Sequence, residues 1–227
     1  MLVMLHTKYR TMKKRIAFRS IKRKIRRLFT RENLYVGVCA GVLIGIVTYG
    51  IMQSRTMINP AAYTPLLNVI AKGESRGNYN AYFGNPANQE INFTNMSLAE
   101  VLTWQKEYIQ QGSPSNAVGR YQIIHPTLEG LITQLKLDTA MIFDEALQDK
   151  LAITLMEGRG SIQFIENKVS AEDLAHNLSK EWAALPKVTG DAPESSFYAN
   201  DGLNKSQIDS RTILGAIKSF QQIAKEE

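Results

Sequence analysis

The sequence predicts a mainly α-helical domain that follows a single transmembrane helix. An uncharged and mostly apolar run occupies residues 33–54, between Glu32 and Arg55. After this run, apolar residues recur at spacings of three and four in several segments, which is typical of amphipathic helices. Residues 90–95, with the sequence EINFTN, alternate weakly as a short β-strand would. These observations predict helices accompanied by a small β element.

The first 32 residues form a basic arm. Residues 1–33 hold twelve Lys and Arg and one acid, a net +11, so the rest of the chain holds −5 at a total of +6. Phe18, Ile21, Ile25 and Leu28 recur at helical spacing, which predicts a basic amphipathic helix on anionic lipid headgroups. Clustered cations also bind nucleic acid, but the adjacent apolar run favours the membrane and makes nucleic acid the weaker alternative.

The run at 33–54 is long enough to cross a bilayer. A helix of this length measures roughly 33 Å, and a hydrocarbon core is about 30 Å thick. Most Lys and Arg residues precede the run, which predicts a cytoplasmic N-terminus and a periplasmic C-terminal domain in a single-pass protein. The alternatives are a buried core helix and a cleaved signal peptide. The long charged region before the run favours an uncleaved anchor.

Three glycines repeat at every fourth position within the predicted span, at Gly37, Gly41 and Gly45. Small residues at this spacing let two membrane helices approach closely, which predicts self-association through this face. The alternative is the ordinary tolerance of glycine in a helix surrounded by lipid.

Cysteine and histidine usage predicts neither a metal site nor a cofactor. Cys39 is the single cysteine, which excludes an intrachain disulfide and cysteine-based zinc clusters. The three histidines, His6, His125 and His176, are scattered along the chain.

A polar linker over residues 55–63 precedes a domain at 64–227. The helical pattern begins near residue 64 and its first helix is predicted to end near Gly73. Ser97 with Glu100 and Ser170 with Asp173 have the spacing of capping boxes at helix starts. Further helices are predicted at residues 97–110, 127–136, 143–157, 170–182 and 210–224. The loops at 111–118 and 186–206 are rich in residues that favour turns, and such loops often line sites.

Glu74 is the first candidate functional residue, followed by Ser75 at the point where the first helix meets a glycine-containing turn. A glutamate that is partly desolvated in a cleft has a raised pKa and can act as a general acid. Cleavage of a sugar polymer needs such an acid to protonate the leaving oxygen. Taken alone the pattern is weak, because most glutamates are solvated surface charges.

The second candidate segment is Gly119-Arg120-Tyr121-Gln122, whose four residues, like Ser75, are predicted to bind the substrate. Gly119 permits close backbone approach, Tyr121 offers an aromatic face, and the Gln122 amide can bind a sugar amide or hydroxyl. The alternative is a junction between a loop and a helix, with an ordinary core tyrosine.

The third candidate segment is EWAALP at residues 181–186, followed by a polar loop that contains Tyr198. Trp182 either stacks on a sugar ring or fills the core, and core packing is the more common role for a single tryptophan.

In combination, GRYQ at 119–122, FDEALQD at 143–149 and EWAALP at 181–186 resemble the phage lambda endolysin family of lytic transglycosylases and its muramidase relatives. The similarity covers about residues 64–222. It implies a lysozyme-like α+β fold with a small β element beside the cleft. It also implies that Glu74 is the catalytic acid, that Gln122 contacts the glycan and that Tyr198 is the active-site tyrosine. Endolysins of this family are usually soluble, so the anchor is a departure.

The resemblance implies a reaction on peptidoglycan. Glu74 would protonate the oxygen between N-acetylmuramic acid and N-acetylglucosamine, then accept the proton of the muramic 6-hydroxyl as a 1,6-anhydro ring closes. The alternative within the same fold is a hydrolysing muramidase, which normally uses a second carboxylate. The candidates for that carboxylate are Glu90, Glu181, Asp191 and Asp201.

An alternative from another class is a non-catalytic peptidoglycan-binding scaffold of an envelope or virion complex. A serine hydrolase is disfavoured because no histidine lies near a plausible nucleophile. An enzyme tethered to a bacterial membrane, or to the membrane of a phage virion, acts only within reach of that membrane. The expected role is therefore local opening of the cell wall.

Overall fold

The computed structural model describes residues 58–226. Within this range the chain forms seven α-helices, and β structure is limited to isolated bridges such as that between Tyr82 and Val118. The mainly helical fold class is therefore confirmed, with little strand. The helices are α1 (Thr64–Ser75), α2 (Leu98–Gln110), α3 (His125–Leu135), α4 (Glu145–Gly158), α5 (Ser161–Ile165), α6 (Ala171–Ser179) and α7 (Ser210–Glu226).

Six of these helices occupy the predicted segments, and their ends differ by a few residues. The sequence predicts that α1 ends near Gly73, which is too early. Helix α1 continues to Ser75 and stops where Arg76 adopts a left-handed φ of 57°. The predicted extension of α6 to Trp182 is wrong, because the helix ends at Ser179. Both predicted capping boxes form. Helix α5 has five residues, too few for a periodic pattern, and the sequence does not reveal it.

Helix α1 packs along α7, and this contact builds much of the core. Leu66 and Ile70 of α1 and Ile217 and Phe220 of α7 are fully buried. The spacing of these residues on each helix matches the apolar stripes read from the sequence. Because α1 is fixed along its length, its last turn, which carries Glu74, has a defined position.

The predicted linker at 55–63 includes residues that belong to the core. Pro60–Tyr63 form a 3-10 helix that leads directly into α1. The Tyr63 ring is fully buried with its centroid 4.7 Å from that of Phe220, and the Tyr63 hydroxyl lies 3.1 Å from Ser161 Oγ.

The predicted strand at residues 90–95 is wrong, because asparagine side chains take the place of a neighbouring strand. Asn88 Oδ1 accepts from the backbone N–H groups of Glu90 and Ile91, and Asn80 Oδ1 accepts from Thr94 N–H. With these donors satisfied by side chains, no ladder forms, and residues Phe93–Asn95 turn into a 3-10 helix.

The basic arm at 1–32, the predicted transmembrane helix at 33–54 and its glycines Gly37, Gly41 and Gly45 lie outside the described residues. None of the helices found between residues 58 and 226 combines the length and the apolar character needed to cross a bilayer.

Candidate active site

A cavity of about 610 Å³ opens on the domain surface at the end of α1. Its walls come from parts of the chain that are far apart in sequence: the last turn of α1, Phe83, the segment 114–127, the end of α4, and the segments 180–183 and 198–204. Exposed apolar side chains, Ile124 and Leu203, line it from two of these segments. A cavity with a few polar groups among apolar ones is typical of a binding site.

Glu74 lines this cavity from the last turn of α1. One carboxyl oxygen, Oε1, accepts a hydrogen bond of 2.9 Å from the backbone N–H of Ala184. Burial raises the pKa of Glu74 to about 7, and the hydrogen bond from Ala184 opposes part of this rise. At neutral pH the protonated and ionised forms are therefore both populated, which suits a group that first donates and then accepts a proton.

Gly73 allows α1 to approach the segment that carries Ala184. A Cβ atom at position 73 would lie 2.8 Å from Ala184 Cβ and 3.0 Å from Ile208 Cγ1. Glycine is thus required here by contact with a neighbouring segment, within a helix of ordinary backbone conformation. The sequence shows a glycine before Glu74 but does not reveal the contact that requires it.

Ser75 lies behind the cavity wall. It is fully buried, and its Oγ donates to the carbonyl oxygens of Arg120 at 2.7 Å and Ala71 at 3.2 Å. Residues 73–77 read GESRG and so match the G-x-S-x-G pattern of serine hydrolases. The pattern has no such meaning here, because the serine ends a helix, is inaccessible, and neither His125 nor His176 lines the cavity.

Gly119 and Arg120, predicted to bind substrate, also lie outside the set of cavity-lining residues. Gly119 has a φ of 80°, and the Gln148 carboxamide oxygen occupies the space that a Cβ would need. That same oxygen accepts from Arg120 N–H at 2.9 Å. The close approach predicted for Gly119 therefore exists, but its partner is α4 of the same chain.

The Arg120 guanidinium belongs to a polar network on the far side of the turn. Its Nη1 donates to the hydroxyls of Tyr79 at 2.9 Å and Tyr121 at 3.0 Å, and its Nη2 donates to Asn68 Oδ1 at 2.8 Å. Both tyrosine hydroxyls donate to Asp149 Oδ1. Burial, followed by the Asp149 hydrogen bond and charge, raises the pKa of Tyr121, so its hydroxyl stays protonated as a donor.

Gln122 lines the cavity at the end of this turn. Its φ is 48°, a left-handed conformation that is uncommon for a residue other than glycine. Its Nε2 donates to the Gly119 carbonyl at 2.9 Å, which holds the side chain across the turn. A residue kept in such a conformation by its surroundings is common at functional sites.

Tyr121 and Trp182 contribute only edges to the cavity, since they are 1% and 3% exposed. The Trp182 indole N–H donates to the Tyr121 carbonyl at 3.2 Å. Of the two roles left open for Trp182, the structure favours core packing, because neither indole face is available to stack on a sugar.

Tyr198 lies at the cavity rim and is 39% exposed. Its hydroxyl donates to the Lys180 carbonyl at 2.6 Å, and its ring centroid lies 5.3 Å from that of Phe197. The structure thus brings Glu74, Gln122 and Tyr198 to one cavity from three separate segments.

Two other acids line the cavity, Glu181 and Asp201, whereas Glu90 and Asp191 do not. Glu181 Oε2 accepts from Arg159 Nε at 2.9 Å and from Nη2 at 2.7 Å. Asp201 accepts from the Asn204 side chain and from two backbone N–H groups, and these bonds lower the pKa of its carboxyl. Arg159 and the Ala184 N–H were not identified from the sequence.

The family model described as Endolysin matches residues 65–201, more than half of the chain and all of the segments that build the cavity up to Asp201. Neither the curated proteins nor the solved structures contain a significant match.

Proposed function

The chain belongs to the endolysin family of peptidoglycan-degrading enzymes, and we propose that it cleaves the glycan strand as a lytic transglycosylase with Glu74 as its acid and base. The bond cut is the β-1,4 linkage from N-acetylmuramic acid to N-acetylglucosamine. The observation that carries this proposal is the Glu74 carboxyl, whose pKa is raised to about 7 at the wall of a cavity of about 610 Å³.

The reaction proceeds in two proton transfers through one carboxyl group. Protonated Glu74 gives its proton to the bridging oxygen, and the bond from that oxygen to C1 of the muramic residue breaks. The ionised carboxylate then takes the proton of the muramic 6-hydroxyl, whose oxygen bonds to C1 and closes the 1,6-anhydro ring. Glu74 ends protonated and no water is consumed, so one carboxyl serves both steps.

The state of the other acids supports this reaction over hydrolysis. A muramidase normally uses a second carboxylate that is free to activate water or to act as a nucleophile. Glu181 is bound by two nitrogens of Arg159, and Asp201 is engaged by three N–H donors in its own turn. The Glu74 carboxyl lines the same cavity and has a raised pKa.

The burial of Glu74 also weighs against a binding-only scaffold. Placing a carboxyl group in a desolvated position costs free energy whenever it ionises, and a protein that only binds glycan has no use for it. Perturbed acids in cavities are common at catalytic sites.

Membrane attachment is part of the same proposal. An apolar run at 33–54 behind a basic arm supports a single-pass anchor with the enzyme on the outer side, bound to the lipid bilayer and to peptidoglycan. Gly37, Gly41 and Gly45 support self-association of the anchor. Such an enzyme opens the wall locally, within an envelope or virion complex.

The test is digestion of purified peptidoglycan with the full chain in detergent, read by mass spectrometry. We expect anhydro-muropeptides from the wild type and none from Glu74→Gln. Reducing products, heavier by one water (about 18 Da), would make the enzyme a muramidase. A folded wild type without any product would favour the scaffold.

A further inference from the structure

We propose that Arg159 is a positioning residue, which holds residues 180–184 so that the Ala184 N–H stays aligned with the Glu74 carboxyl. The inference rests on the proposed role of Glu74 as acid and base. Arg159 does not need to touch the glycan for this role, and it acts through Glu181 and the backbone that follows it.

Arg159 makes two separate attachments to this segment. It directly follows α4, and both its Nε and Nη2 donate to Glu181 Oε2, at 2.9 and 2.7 Å. Nη2 also lies 3.4 Å from the carbonyl of Lys180. A planar guanidinium can hold two neighbouring acceptors at once, whereas a lysine ammonium presents a single point of charge.

The pair is partly withdrawn from water, which distinguishes it from an ordinary surface ion pair. The Glu181 side chain is 14% exposed and that of Arg159 is 36% exposed. By comparison, Lys168 is 65% exposed in its pair with Glu166. Exposed pairs hold geometry weakly because water and salt screen them, and this effect is smaller where one partner is largely covered.

The chain from Glu181 to Ala184 is too short and too constrained to absorb a displacement. The N–H groups of Glu181 and Trp182 both donate to the Leu178 carbonyl, at 2.9 and 3.0 Å, and Leu185 N–H donates to the Trp182 carbonyl at 3.1 Å. A shift of Glu181 is therefore transmitted to Ala184.

The far end of the segment is also fixed, so Arg159 acts together with the bonds to Leu178 in setting the path between the two ends. The Ala184 carbonyl accepts from the N–H groups of Gln207 at 2.8 Å and Ile208 at 3.2 Å. These bonds hold one side of the Ala184 peptide, and the direction of its N–H depends on the path of residues 180–183. Tyr198 supports that path as well, through its 2.6 Å bond to the Lys180 carbonyl.

Charge alone does not account for the role of Arg159. The charged side chains that line the cavity with Glu74 are Arg159, Lys180, Glu181 and Asp201. Arg159 is compensated by Glu181 at close range, so its net field at Glu74 is small. An exchange that keeps the charge but loses the two-point attachment isolates geometry from electrostatics.

Arg159→Lys is that exchange, with Lys150→Arg on the exposed face of α4 as the matched control. We expect Arg159→Lys to lower kcat roughly fivefold, the factor for one hydrogen bond, with KM unchanged. Without the Ala184 N–H the ionised carboxyl is less stabilised, so the pH above which kcat falls moves higher. Glu181→Gln retains an acceptor for Arg159 but leaves the Arg159 charge uncompensated, and we expect that charge to lower the pKa of Glu74, the opposite direction.

A direct substrate contact predicts a different result, a raised KM with the pH profile unmoved, and that result would overturn the proposal. A fall in melting temperature and in activity without a pH shift would also overturn it, as the mark of a purely structural pair. The pKa of Glu74, followed by carbon NMR of the labelled carboxyl, gives the same readout without substrate. That titration separates failure of this proposal from failure of the proposed activity.

Discussion

Ser75 joins the helix that carries Glu74 to the turn that carries Gln122: its Oγ donates to the Arg120 carbonyl at 2.7 Å. The two site residues thus lie on either side of one partly buried hydrogen bond. Other bonds fix the same turn, from Gly119 N–H to the Ala81 carbonyl at 2.8 Å and from Arg120 N–H to Gln148 at 2.9 Å. The relative position of Glu74 and Gln122 therefore depends on groups that never face the cavity.

Ser75→Ala should weaken both the fold and the activity. The change leaves the Arg120 carbonyl without its serine donor, which costs about 1–3 kcal/mol when the group is buried. Chemical denaturation would measure the loss, and kcat/KM on peptidoglycan should fall because Gln122 shifts. Ser219→Ala is the matched control, since Ser219 is exposed and its Oγ donates to the carbonyl four residues back. It should stay within about 0.5 kcal/mol of the wild type.

Gly73→Ala should also destabilise the protein, although alanine normally favours a helix. The new methyl group would lie 2.8 Å from Ala184 Cβ, and overpacking of this kind costs about 1–3 kcal/mol. It would push Ala184 from Glu74 and reduce kcat. Gly215→Ala in α7 meets nothing within 4 Å and should instead stabilise by about 0.5–1 kcal/mol. Equal behaviour of the two variants in thermal unfolding would contradict the assigned contact.

Asp149→Asn should destabilise the turn at residues 119–122, because Asp149 supports this turn from the side away from the cavity. It removes the carboxylate that accepts hydrogen bonds from the Tyr79 and Tyr121 hydroxyls and lies 3.5 Å from Arg120 Nη1. Because Asp149 is 33% exposed, we expect a loss of about 1–2 kcal/mol in denaturation, below the range for a fully buried pair. Lys168→Gln breaks an exposed pair and should cost less than about 0.5 kcal/mol. If Asp149→Asn left the free energy of unfolding unchanged, the network would make no contribution to stability.

The sequence predicts the helices well and the site only in part. Six helices follow from apolar spacing and capping boxes, because both are local signals. The strand at 90–95 fails because Asn80 and Asn88 satisfy its backbone donors, which requires contacts across a folded loop. The contributions of the Ala184 N–H and of Arg159 to the site could not be predicted from the sequence for the same reason. Their partners, Glu74 and Glu181, are 110 and 22 positions away.

Glu74 should make the wild type less stable as pH rises. Its pKa is raised from 4.5 to about 7 in the folded state. Between these values the folded state binds more protons than the unfolded state, so the free energy of unfolding falls with increasing pH and levels off above about 7. The full shift sets an upper bound of about 3 kcal/mol. Glu74→Gln should remove this slope and melt higher than the wild type at pH 8; a slope retained in the variant would assign it to another group.

The pKa of Glu74 should also set the pH range of catalysis. Activity should fall as the carboxyl ionises, whereas an enzyme that uses a carboxylate only as a base gains activity on ionisation. The first step needs protonated Glu74, so kcat should decline as pH rises through about 7, the pKa of the folded state. Asp201→Asn tests whether a second carboxylate takes part. Its carboxyl has a lowered pKa and is ionised across this range, so in a transglycosylase the decline near pH 7 should stay where it is. If Asp201→Asn abolished turnover and the wild type released reducing sugar ends, Asp201 would be the missing carboxylate of a muramidase.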